Sequence, residues 1–151
     1  MVICTTRRGQ PTLYKVRKQD SSIMPSRWLE IAIAVDYTLI SFHGKHKVEQ
    51  YVLSLMNIAS AIYQDTSLEG NMKLVITRLR MYEHKKHGVV RPGNARKSLE
   101  NVNAWNRRLH TSLAPGEQHH DLAVWLTRSD IGGPSGYAPV GGVCDPKEAA
   151  P

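Results

Sequence analysis

The stretch "HHDLAVWLTRSD", residues 119–130, sets two imidazoles and a carboxylate directly before an apolar run. His, His and Asp side by side are a donor set that could hold a metal ion. A zinc pair on a helix needs histidines four residues apart, so that both imidazoles share one face, with a glutamate as base. The sequence has seven histidines but no "HExxH". His43 and His46 flank Gly44 three residues apart, and His84 and His87 stand three apart in a lysine-rich turn; both pairs read as solvated surface. His119 and His120 read as loop residues at the mouth of a strand. No GxSxG, GxGxxG or P-loop is present, and "GGPSG" lacks the lysine and helix that would make it a phosphate cradle.

Two carboxylates carry a sharper expectation. Glu30 lies inside the apolar run "WLEIAIAVD", where a charge is costly unless paired or bound to a cation. Asp121 begins another apolar run, "DLAVWLT". If both runs are parallel strands, the two carboxylates meet at one end of the sheet, an arrangement suited to a hard cation such as calcium. The bland alternative is a wet edge for Glu30 and a strand cap for Asp121.

The elements that would position these residues follow from periodicity. Residues 28–36 are β-branched and apolar and read as a buried strand. Val48, Tyr51, Val52, Leu55, Ile58, Ala59 and Ile62 recur at three- and four-residue spacing, which predicts an amphipathic helix over 45–64. "MKLVITRLRMY" alternates and predicts a strand over 72–82. Asn94 is a suitable N-cap for a helix that carries Leu99, Val102 and Leu109 on one side. "DLAVWLT" is a third strand, and a short strand over 136–141 would be confined to a sheet edge by Pro139. Residues 1–26 are basic and aperiodic and read as a flexible leader, with Pro25 and Ser26 as punctuation. Residues 147–151 read as a tail. Strand, helix, strand, helix, strand, with helices long enough for crossovers, argues an α/β sheet, mostly parallel, with one short edge strand.

Composition sets the outer bounds. At 151 residues, 41% hydrophobic and 22% charged, the chain has the make-up of one globular domain. The net charge of +7 and a pI near 9.6 predict attraction to polyanions. Nucleic acid is not expected, because the basic residues are not interleaved with aromatics. No span of 18 apolar residues exists to cross a membrane, and "MVICTTRRGQ" lacks the apolar core and cleavage site of a signal peptide, which by itself predicts a cytosolic chain. Cys4 and Cys144 are one pair at opposite ends, too few for a disulfide framework, and read as thiols.

Taken together, "LEIAIAVD", "FHG", "VEQYVLSLMNIASAIYQD", "HHDLAVWLTRSD" and "GPSGYAPVGGVCDP" resemble, in colinear order, the opening part of an adamalysin-type zinc metalloprotease domain (reprolysin, peptidase M12B). More narrowly they resemble the secreted disintegrin-and-metalloprotease family with thrombospondin motifs (ADAMTS), and "GYAPV" is similar to its procollagen N-proteinase branch. The resemblance covers about 27–146. It implies the metzincin upper subdomain: a twisted, mostly parallel sheet, long crossover helices, and a short antiparallel edge strand that lines the substrate cleft. That edge strand maps to Tyr137, Ala138, Pro139, Val140 and Gly141, where an extended peptide would pair its backbone. The resemblance also implies structural calcium at Glu30 and Asp121, with Asp130 a further candidate. It implies zinc as cofactor, extracellular-matrix protein as substrate, and secretion of the parent protein.

The departures bear on activity. The family's zinc motif "HExxHxxGxxH" and its methionine turn do not occur in this sequence, nor do cysteines that would pair with Cys144. The expectation is therefore a metalloprotease domain truncated before the active-site helix, with no catalytic residue of its own and no peptidase activity as written. The alternative is a non-catalytic pseudo-protease module that binds peptides or heparin-like glycans through its edge strand and basic charge.

Overall fold

The computed structural model describes residues 2–6, 27–68, 72–85, 89–114, 116, 119–133 and 135–139. Its elements run β1 (Val2–Thr6), β2 (Arg27–Val35), α1 (Tyr37–His43), α2 (Lys45–Tyr63), β3 (Met72–Met81), α3 (Ala95–Thr111) and β4 (Leu122–Leu126). The strands form one sheet in the order β1-β4-β2-β3. β2 runs parallel to both β3 and β4, and β1 runs antiparallel to β4. This is the mixed α/β fold that the sequence implies, with a three-stranded parallel core and helices on both faces.

Alternation along β2 assigns the two faces. Leu29, Ile31, Ile33 and Val35 join Val124 and Leu126 of β4 in a core closed by Leu39 and Ile40 of α1 and Val48 and Val52 of α2. On the other face, Ala32, Ala34 and Ala123 are small, and α3 packs there through Leu99, Val102, Trp105 and Leu109. The alanines leave room for the large ring of Trp125, which stacks on Tyr82 at 5.3 Å and meets Trp105 edge-on at 5.3 Å. The Trp105 indole donates to the Tyr82 hydroxyl at 2.7 Å. β2 and β4 are thus covered on both sides, which is why their sequences are apolar runs rather than alternating ones.

Three features differ from the sequence expectations. Residues 2–6, inside the segment expected to be an aperiodic leader, form a strand; residues 7–26 lie outside the described residues. The helix expected over 45–64 is preceded by a separate one, α1, because Asp36 caps it: its Oδ1 accepts from the Thr38 and Leu39 N–H groups at 3.0 and 3.3 Å. Among the described residues, the sheet's antiparallel edge strand is Val2–Thr6. Of the strand expected over 136–141, the described residues show an isolated bridge at Tyr137, and Val140 and Gly141 lie outside them. Pro139 has no N–H to give a ladder, and β4's outer edge is already paired.

Candidate functional site

Parallel pairing of β2 with β4 places Ile31 opposite Leu122, so the preceding residues, Glu30 and Asp121, stand across from each other. The Asp121 N–H donates to the Glu30 carbonyl at 2.8 Å. In return the Glu30 N–H donates to Asp121 Oδ2 at 3.0 Å. The expected meeting of the two residues occurs, but one Asp121 oxygen is committed to backbone, where it extends the ladder by one bond. Both residues are half-buried.

Asp130 does not join them. It lies beyond the opposite end of β4, and five residues at about 3.3 Å each put roughly 16 Å of strand between the two aspartates. Its Oδ1 accepts from the Gly132 N–H at 2.7 Å and its carbonyl from the Gly93 N–H at 3.1 Å. Asp130 therefore ties the loop after β4 to the loop before α3.

The histidines divide in a way the sequence did not indicate. His119 is exposed, whereas His120 is 1% exposed and its Nε2 lies 2.7 Å from Asn106 Oδ1, itself buried on α3. His120 is a loop residue at the mouth of β4, as the sequence reading has it, but a buried one: a polar anchor between the β4 entry and α3. His110 stacks on His120 at 4.1 Å and faces His119 at 6.2 Å, with the planes within 20° of parallel. Imidazole nitrogens point along the ring plane, so stacked rings do not converge their lone pairs on a common ion. Asn106 went unnoticed in the sequence. The available signal was a polar residue on the same helical stripe as Leu99, Val102 and Leu109, where burial demands a partner.

His43 ends α1 and stacks on Tyr51 at 3.9 Å, while His46 is exposed in the first turn of α2. His84 is exposed, and His87 lies outside the described residues. Tyr137, Ala138 and Pro139 lie against α3, where they line a cavity of about 310 Å³ with Arg96, Leu99, Glu100, Asn103 and Arg107.

Among the described residues no group of three or more His, Cys, Asp or Glu side chains could hold a metal ion. Zinc needs three or four such ligands, and the described residues do not fit it. Calcium takes six to eight oxygens, of which Glu30 and Asp121 would supply a minority. No helix among the described residues is long and apolar enough to cross a membrane.

Comparison with known proteins assigns the scaffold. The sequence profile of "Metallo-peptidase family M12" matches residues 25–151. The chain is 47% identical over 133 residues to "A disintegrin and metalloproteinase with thrombospondin motifs 1" of Bombyx mori, which covers 88% of this chain and 13% of that protein. It is 41% identical over 121 residues to the protein numbered 3 of the same series in Homo sapiens, covering 78% of this chain and 10% of the relative. To number 14 of Homo sapiens it is 40% identical over 131 residues, covering 86% and 11%. The chain thus spans 10–13% of the length of these relatives. With the profile running through β2, α2, β3, α3 and β4 in a single colinear match, the chain belongs to metallo-peptidase family M12.

Proposed function

We propose that this chain supplies the sheet scaffold of a zinc metalloendopeptidase domain whose parent is a secreted protein acting on extracellular-matrix protein. The observation that carries the reading is the colinear family match over 25–151, joined to relatives whose names describe metalloproteinases. What the residues present do is structural: they build the sheet and bury both its faces. A zinc hydrolase works through a metal-bound water whose pKa falls to about 7, and no ligand set for such a metal exists among the described residues. The chain as written is accordingly inactive. Purified in full and supplied with zinc, it should cleave a casein or gelatin substrate no faster than buffer does. Cleavage abolished by a chelator would refute this.

Within the same reading, Glu30 and Asp121 contribute two side chains to a calcium site completed by groups outside the described residues. The support is their placement at one end of adjacent parallel strands. Calcium should raise the thermal midpoint of the chain, and Glu30→Gln, which leaves both backbone bonds in place, should abolish the rise. An unchanged midpoint in the parent chain would count against the site.

A second reading is favoured by charge. Arg80, His84 and Lys85 are exposed near the end of β3 on a chain of net charge +7, which suits a non-catalytic module for heparin-like glycans. Retention on immobilised heparin should then fall steeply with salt and weaken in Arg80→Ala/Lys85→Ala. Flow-through at low salt would dismiss it.

A further inference from the structure

β3 ends the sheet on the side away from β4, and among the described residues only β2 pairs with it. Alternate backbone N–H and C=O groups therefore face outward along the whole edge from Met72 to Met81. β2, with neighbours on both sides, is buried from Ile31 to Val35, whereas no residue of β3 is fully buried. The register sorts β3 into two rows. Met72, Leu74, Ile76 and Leu79 pack against the core on the α1–α2 face. Lys73, Val75, Arg78 and Arg80 stand beside Trp28, Glu30, Ala32 and Ala34 on the α3 face, with Thr77 taken up by a bulge. Every position of this second row except Val75 is cationic, and Arg80 is exposed. Within the sheet the cations have Trp28, Ala32 and Ala34 beside them, none of them acidic, and Lys73 lies 5.0 Å over the Trp28 ring.

We propose that the outer edge of β3 is a strand-acceptor site for an extended segment of another protein that alternates acidic and apolar residues. The outward ladder groups call for a polypeptide backbone, which a glycan does not offer. Same-face positions recur about every 6.6 Å along a strand, so the cations of β3 match acids at every second residue of an added strand. The residues between those acids continue the apolar row of Met72, Leu74, Ile76 and Leu79. Cross-strand pairs of opposite charge stabilise such an addition, and like charges oppose it. A second copy of this chain is disfavoured on that ground, because β3 against β3 sets cation rows together on chains of net charge +7. The same row keeps the edge from pairing with itself in the resting molecule, and leaves an acidic strand as the occupant. The site depends on neither the metalloprotease nor the glycan reading.

The probe is a labelled synthetic peptide, matched in length to β3 and alternating Glu and Val, titrated with the full chain and followed by fluorescence anisotropy. Binding should saturate and should weaken with salt. Residue-resolved hydrogen exchange should slow roughly tenfold or more at alternate amides of β3, with those of β4 unchanged. Lys73→Glu/Arg80→Glu should weaken binding roughly tenfold or more, and a peptide alternating Lys and Val should bind that variant instead, which shows that it is folded. Two versions of the probe, N-methylated at every Glu or at every Val, keep its charge; the one whose methyl groups face β3 should not bind. Four results would each overturn the proposal: no binding of the probe, unchanged binding by the charge-reversed variant, protection outside β3, or equal binding of the probe and both methylated versions. The last would mark a patch that reads polyanion charge alone.

Discussion

The Asp121 carboxylate substitutes for a ladder acceptor, taking the Glu30 N–H at 3.0 Å just before β4 begins. Asp121→Ala should cost about 1–3 kcal/mol by leaving that half-buried N–H without its acceptor; Asp121→Asn, which keeps an oxygen there, should cost less. Urea unfolding of the two variants measures the difference. Gly132 makes a second, purely steric demand. Its φ is +78°, and a Cβ placed on it would stand 2.6 Å from the Gly93 carbonyl oxygen, which is backbone and cannot swing aside. Gly132→Ala should therefore cost more than the ~1–2 kcal/mol of a left-handed alanine alone, seen as a lowered urea midpoint. Lys45 and Glu83 form an exposed contact of 2.7 Å between the start of α2 and the segment after β3. The Lys45 ammonium, hydrogen-bonded to it, holds the Glu83 carboxyl below the ordinary value of 4.5. A carboxyl lowered in the folded state contributes stability that is fully present above its unfolded value and is lost as pH falls through the folded one. Carboxyl-detected NMR titration of Lys45→Gln should move the Glu83 midpoint up toward 4.5.

Each helix depends on what anchors its start. α3 carries Arg96 and Lys97 in its first turn, against the helix dipole, and has no acidic residue there. Asn94 offsets this by accepting from the Lys97 N–H at 2.9 Å, and Ser98 does more. Its hydroxyl is fully buried, accepts from the Arg91 N–H at 2.8 Å and bonds back to the Asn94 carbonyl at 2.8 Å. Ser98→Ala should cost about 1–3 kcal/mol by stranding the Arg91 N–H, and hydrogen exchange should localise the loss to the loop before α3. The Asn94 cap was legible in the sequence, since capping is local chemistry. The role of Ser98 was not, because its partners in the preceding loop are set by the folded turn. α1 escaped notice for a related reason: Asp36 reads equally well as the end of a strand and as a cap. Its burial, and the Thr38–Thr127 hydroxyl contact at 3.2 Å, come only with the fold.

Two apolar layers share one sheet. Ile33, fully buried, packs toward α1 and α2, while its neighbours Ala32 and Ala34 face α3. Loss on either face should therefore disturb the same cooperative unit. Ile33→Ala should cost about 2–5 kcal/mol and Trp125→Ala about 3–5 kcal/mol, both lowering one unfolding midpoint seen alike by tryptophan fluorescence and far-UV circular dichroism. The sequence by itself determined the parallel β2-β3-β4 core, α2, α3, their boundaries to within a residue or two, and the family. These follow from periodicity and caps, which act between residues close in the chain. It also brought Glu30 and Asp121 together, since parallel strands align equivalent ends. Tertiary structure decided which groups those residues face. Asp121 turns to a backbone N–H, His120 to the buried Asn106 of α3, and the outer edge of β4 to the N-terminal strand. Each of these pairings joins residues distant in sequence, or depends on which face of an element is buried, and pattern in one segment carries no information about the partner that satisfies it.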